Sequence, residues 1–205
     1  MKVLILNGPN LGRLDIRDSK HYGDLNWEEL SKLISSSATE LGFEAEAIKA
    51  ALRRFKGVKR RFEYHLRTPD LVYIDDYAHH PTEINALISS VRSMYPGWPI
   101  TGIFQPHLFS RTKDFAQDFA TSLSQLDALY LLPIYPAREL PIPGVSSDWL
   151  AEITALPNKS VLQAHEVLTA LQKKQKGVIL TIGAGDIDRL VGPLTDLLKM
   201  QTNHS

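Results

Sequence analysis

Short apolar runs rich in β-branched and aromatic residues alternate along this chain with longer stretches of helical period, and that order confines it to a sheet whose strands are joined through helices. Residues 2–7, 61–66, 71–74, 100–105, 128–132 and 178–182 read as strands. Helices are predicted over 27–41, 45–55, 82–94, 111–123, 149–155, 166–174 and 187–200. Asn26 with Glu29 has the spacing of a capping box, and Pro81 followed by Glu83 supplies a proline and an acid to a first helical turn. Strand-helix-strand succession requires parallel crossovers, with helices on both faces of the sheet. One pair departs from this. Only a short link through the turn Thr68-Pro69-Asp70 stands between the strand at 61–66 and the next, too short for a crossover, so that pair is expected as an antiparallel hairpin. The expected class is α/β: a three-layer, mostly parallel, Rossmann-like sheet with helices on both faces and one antiparallel hairpin strand.

Composition narrows the function classes. Hydrophobic residues make up 43% of 205, enough for a sizeable core. Lys plus Arg number 23, as do Asp plus Glu, and a balanced charge argues against a nucleic-acid partner. The absence of cysteine excludes disulfides, thiolate metal sites and cysteine nucleophiles, and points to a cytoplasmic location. Apolar runs such as Val3-Leu4-Ile5-Leu6 are too short to span a bilayer, and no secretion signal is read at the N-terminus.

The densest chemistry follows the run at 71–74, where Asp75-Asp76-Tyr77-Ala78-His79-His80-Pro81-Thr82-Glu83 packs carboxylates, imidazoles and a helix start into one strand-to-helix junction. The crevice outside the carboxyl ends of parallel strands is where such sheets bind ligands. Asp76 reads either as a functional carboxylate or as a helix cap. His79 and His80 diverge as neighbours on a turn. Asp75, Asp76, His79 and His80 have metal-ligand side chains, but adjacent pairs are poor ligand spacing and no metal site is expected. His107 and Arg111 occupy a second junction of the same kind and add positive charge. Gly183-Ala184-Gly185-Asp186 has two glycines of a dinucleotide fingerprint, with Asp188 where the third would stand; a tight turn explains it equally well. Pro141-Ile142-Pro143-Gly144 reads as a stiff surface loop with Glu139 at its edge. No G-x-x-x-x-G-K-[ST] phosphate loop occurs in the 205 residues.

Phe55 through Glu63, Asp75 through Ile84, Phe104-Gln105-Pro106-His107 with Ser110-Arg111-Thr112, Pro136-Ala137-Arg138-Glu139 with Pro141 through Gly144, and Gly183 through Ile187 form an ordered set. On these blocks residues 44–200 resemble the C-terminal domain of UDP-N-acetylmuramate–L-alanine ligase, in the Mur ligase family. The resemblance implies ATP and Mg in the complete ligase, with L-alanine and UDP-N-acetylmuramate as substrates and the remaining ligase domains as partners. It places Asp76 at the nucleotide, His80 near the incoming amino acid, and Arg61 toward the ATP phosphates, a task suited to a planar guanidinium. His79, His107, Arg111, Glu139 and Asp186 are the further substrate- and nucleotide-side residues. The chain departs from the commonest pattern at Leu108 and Phe109, where many members carry Arg and Tyr.

Leu6-Asn7-Gly8-Pro9-Asn10-Leu11 and Arg17 followed by His21-Tyr22-Gly23 resemble, instead, the opening of type II 3-dehydroquinate dehydratase. That resemblance implies catalytic roles for Asn10, Arg17 and Tyr22, with Tyr22 as the base and Arg17 lowering its pKa. The family's later blocks have no counterpart here. The expected organisation is a dehydratase-like strand and helix at 1–43, a Mur ligase C-terminal-like domain at 44–200 and a frayed tail at 201–205. The expected function is that of an isolated, ATP- and amino-acid-facing ligase module, catalytically incomplete by itself. The alternatives are a dehydratase-like enzyme of the shikimate pathway and an inactive chimeric or engineered α/β scaffold.

Overall fold

In the computed structural model the described residues are 58–173 and 175–203, preceded by single positions at 32, 36, 40, 42, 44, 46, 47 and 50. The chain divides into two compact units, residues 1–61 and 62–205. Within the first unit Lys32, Ser36 and Glu40 are helical, as are Glu46, Ala47 and Ala50, in keeping with the helices predicted over 27–41 and 45–55. The strand expected at 2–7 and the Asn26–Glu29 capping pair lie outside the described residues. Val58 and Arg61 close a tight turn, with the Arg61 N–H on the Val58 carbonyl at 3.1 Å. Arg60 has φ 57° there, so residues 59–61 are a turn and not the start of a strand.

The second unit is built on a six-stranded sheet. Its elements are β1 (Glu63–Arg67), β2 (Leu71–Asp76), α1 (Pro81–Met94), β3 (Ile100–Phe104), α2 (Phe109–Asp114), α3 (Ala116–Leu123), β4 (Ala128–Leu131), α4 (Ser147–Ile153), β5 (Lys159–Val161), α5 (Ala164–Ala170), β6 (Gly177–Ile182) and α6 (Asp188–Asn203). Spatial order is β1-β2-β6-β3-β4-β5. β1 pairs antiparallel with β2 and all other pairs are parallel, which is the expected architecture. The hairpin turn closes on Thr68, whose N–H donates to the Leu71 carbonyl at 2.9 Å while its hydroxyl oxygen accepts from the Leu71 N–H at 3.0 Å.

Period-2 alternation divides the core into two halves. Val72, Ile74, Val178, Leu180, Ile182, Ile100, Phe104, Leu129 and Leu131 meet Ile84, Ile88 and Val91 of α1, Phe119 and Leu123 of α3, and Leu150 of α4. Leu71, Tyr73, Ile179 and Ile103 meet Val167 of α5 and Leu190, Leu194 and Leu198 of α6. Each fully buried side chain of this size contributes about 1.5–3 kcal/mol. Because β2 and β6 are covered on both sides, all their residues are buried and neither strand alternates polar with apolar.

Several boundaries differ from expectation. The helix predicted over 111–123 is two helices, parted at Phe115 (φ −113°, ψ 21°), whose ring lies against His80. β5 is too short to have been read, and α6 runs to Asn203, so residues 201–203 continue the helix where a frayed tail was expected. No helix among the described residues is long and apolar enough to cross a membrane.

Candidate functional site

The β2–α1 junction is built almost entirely from its own residues. Asp76, 7% exposed, turns its carboxylate onto the backbone, accepting from the Phe62 N–H at 2.7 Å and the Ala78 N–H at 2.9 Å. It does not cap α1. That role falls to His80, whose Nδ1 accepts from the Thr82 N–H at 3.4 Å, with Pro81 at the first helical position as predicted. Glu83 reaches back to the His80 and His79 N–H groups at 3.2 and 2.9 Å, completing a capping box. The two imidazoles diverge: His80 packs on Phe115, while His79 sets its Nδ1 2.9 Å from the Tyr77 carbonyl and faces the His107 ring at 6.2 Å between centroids.

The β3–α2 junction is held from a distance. Leu108, at φ 72° and ψ 134°, turns the chain from His107 into α2. Its N–H donates to the Tyr135 carbonyl at 2.9 Å, and the Tyr135 N–H donates to the Pro106 carbonyl at 2.8 Å. The His107 and Tyr135 rings stack at 5.6 Å with 24° between planes. Glu139 accepts from the Ser110 N–H at 2.9 Å and from the Ser110 hydroxyl, satisfying an amide at the start of α2 that helix geometry leaves open. Those two bonds, the hydroxyl's first, hold the Glu139 carboxyl below its ordinary pKa. Arg111 brings Nη1 to 3.5 Å from His107 Nδ1. Burial, then the Arg111 and His79 charges, push the His107 pKa below its ordinary value, against a smaller opposing pull from Glu139.

The Gly183–Asp186 turn is a packing device. Gln105 crosses from the end of β3, donating from Nε2 to Asp186 Oδ1 at 2.7 Å and accepting the Ile187 N–H on Oε1 at 2.9 Å. A Cβ on Gly185 would collide with that same oxygen and sit 2.7 Å from Tyr135 Cβ, and Gly183 has φ 145°. The amide at the turn is therefore already occupied, and Asp186 is bound to Gln105. A cavity of about 570 Å³ beside this tie is walled by Tyr135, His165, Leu168 and Leu190 among others.

Of the residues singled out from sequence, His79, His107, Arg111 and Glu139 thus come together around the ends of β2 and β3. Asp76 and His80 lie in the same junction, committed to the backbone and to the helix start. Arg61 is exposed and belongs to the turn at the end of the first unit. Asn10, Arg17 and Tyr22 lie outside the described residues. Asp75 faces Thr181, whose hydroxyl donates to it at 2.6 Å, so Asp75, Asp76, His79 and His80 do not converge on one point. Tyr77, Tyr135 and Gln105 were not singled out. Their signal was position, since each falls just beyond the carboxyl end of a strand.

Comparison with known proteins places the chain in a family. A family model for the Mur ligase, glutamate ligase domain, matches residues 60–185. The chain belongs to the Mur ligase family. UDP-N-acetylmuramate–L-alanine ligase of Flavobacterium psychrophilum is 55% identical over 159 residues, covering 78% of this chain and 36% of that protein. The Cytophaga hutchinsonii enzyme of the same name is 54% identical over 160 residues, covering 78% and 34%. The chain therefore spans about a third of the length of the curated Mur ligases it matches. The crystal structure of UDP-N-acetylmuramate–alanine ligase from Thermotoga maritima superposes with a TM-score of 0.64 at 24% identity, over 82% of this chain and 36% of that one, and shares the fold. A second family model, dehydroquinase class II, matches residues 1–53.

Proposed function

We propose that this chain supplies the C-terminal module of a UDP-N-acetylmuramate–L-alanine ligase, the part that presents the amino acid to a carboxylate activated by ATP. The observation that carries the reading is the convergence of His79, His107 and Arg111 at the carboxyl ends of β2 and β3, in a chain 55% identical over 159 residues to an enzyme of that name. A guanidinium beside two imidazoles suits an α-carboxylate next to an amine. Asp76, His80 and Glu139 then act by shaping the two junctions, and Asp186 by fixing Gln105. Arg61 keeps the expected part of reaching toward ATP phosphates, and Asp76 is the carboxylate nearest in kind to a nucleotide contact.

Magnesium does not fit these two junctions. Asp76 is turned to two backbone N–H groups and Glu139 to Ser110, so neither carboxylate is disposed toward a hydrated cation. The backbone amides that cradle the phosphates are assigned to other ligase domains, which makes those domains, with ATP, L-alanine and UDP-N-acetylmuramate, the partners in this reading, in the cytoplasm. Residues 1–43 are read as a dehydratase-like prefix without a complete elimination site, followed by the ligase-like segment 44–200.

The test is reconstitution. The chain, mixed with an alanine-adding Mur ligase lacking its last domain, is expected to restore ADP release that depends on ATP, L-alanine and UDP-N-acetylmuramate together, and to release none alone. Absence of rescue at saturating chain concentration would defeat the proposal.

A further inference from the structure

His79 and His107 face one another, yet their Nδ1 atoms meet opposite kinds of group. His79 Nδ1 lies 2.9 Å from the Tyr77 carbonyl oxygen and 3.4 Å from Glu83 Oε2, and both are acceptors, so this nitrogen carries the hydrogen. In the neutral ring the lone pair is then on Nε2. His107 Nδ1 lies 3.5 Å from a guanidinium nitrogen of Arg111, which has hydrogens to give and no lone pair. Two N–H groups pointed at each other across that gap would repel, so His107 keeps Nδ1 bare and its hydrogen is on Nε2. Stacking on Tyr135 holds the His107 ring, and an edge contact with Tyr77 at 5.3 Å holds that of His79.

We infer that the two histidines are fixed as opposite tautomers and divide the handling of an amino acid between them: His79 Nε2 takes a proton from its ammonium group, while His107 Nε2–H and Arg111 donate to its carboxylate. The ligand rests on the function proposed above. In the step itself one ammonium N–H bond breaks and an Nε2–H bond forms, leaving a neutral amine with a free electron pair and an imidazolium. The new positive charge lies beside Glu83, with Tyr77, His107, Arg111 and Glu139 the other titratable or charged groups around the pair. Burial and the facing Arg111 guanidinium disfavour a charged His107 more than Glu139 favours it. A carboxamide at either position could imitate the donor but could not take up the proton.

The tautomers are read directly from long-range ¹H–¹⁵N correlations of the full chain labelled in histidine, at about pH 8, above the ordinary imidazole range, with His79→Gln and His107→Gln supplying the assignments. The expected pattern is a protonated Nδ1 and bare Nε2 for His79 and the reverse for His107. A hydrogen on His79 Nε2, or on His107 Nδ1, would overturn the inference whatever the chain's function. In the reconstituted ligation, His79→Gln is expected to lower kcat by about 100-fold or more with little change in the KM for L-alanine, the loss shrinking as pH rises and free amine becomes abundant. His107→Gln, which keeps an N–H donor, is expected to act mainly on KM. A His79→Gln enzyme with unchanged kcat would equally overturn it. Failure of the mixture to ligate at all would remove the ligase reading while the spectra still decide the tautomers.

Discussion

The two junctions that flank the candidate site do the same job by different means. Between β2 and α1 the bonds are local: Asp76 to Ala78, His80 to Thr82, Glu83 to His79 and His80, all within four residues, with Phe62 the one distant partner in that set. Between β3 and α2 the bonds come from Tyr135, Glu139, Asp186 and Ile187, and the chain accepts a positive φ at Leu108 to make them. A loop held by near neighbours is fixed as soon as its own helix forms. One held by remote segments acquires its shape only when the sheet is complete, and its strain is carried by the surrounding packing.

The sharpest way to break this contrast is Asp76→Ala. It strands two shielded N–H groups and is expected to cost about 3 kcal/mol in urea unfolding, from about 1–3 kcal/mol for each unsatisfied donor; Asp76→Asn, which keeps one acceptor, should cost less. A cost under about 1 kcal/mol would mean that the first junction is not held by its own carboxylate. Gly185→Ala should come next, at about 2 kcal/mol, because the new methyl drives Gln105 and Tyr135 apart. Its near-ultraviolet circular dichroism should change with it, as Tyr135 leaves His107.

Strain at Leu108 can be tested by order alone. At an ordinary backbone position alanine is more stable than glycine, whereas here Leu108→Gly should exceed Leu108→Ala by about 1 kcal/mol. Equal stabilities would remove the claim of strain. The smallest effect is on pH. The His107 pKa lies below its ordinary 6.5 in the folded chain, so as pH falls from above 6.5 the unfolded chain takes a proton that the folded chain refuses, and stability declines until the folded value is passed. Replacing His107 with Gln should flatten that limb of a stability profile. Below 4.5 the lowered Glu139 pKa gives a second decline, which Glu139→Gln should remove and His107→Gln should leave intact.

The same local and remote division governs what could be read from sequence. The parallel sheet, the single hairpin and the start of α1 at Pro81 were all legible, because apolar period and turn chemistry act over a few residues. His79 and Arg111 were legible as residues at strand ends. The break at Phe115 was not, because residues 111–123 have an unbroken helical pattern and the partner of the ring at the break, His80, is over thirty positions away. Nor was the use of His80 as a cap, since an Asp nearby is the commoner choice and Asp76 turned to Phe62 and Ala78 instead. Sequence left Gly183–Asp186 open between a fingerprint and a tight turn for a comparable reason: that Gln105 presses on Gly185 is a fact of three dimensions.

Gln105 gives with one end of its carboxamide and receives with the other, and so rivets the exit of the third strand to that of the last. A glutamate of equal length would oppose Asp186 with a like charge, a lysine could not receive the amide of Ile187, and an asparagine would fall short by a methylene. Within the second unit, the backbone ladder between those two strands is thus extended past their ends by a single amide whose orientation cannot be reversed without losing both partners at once.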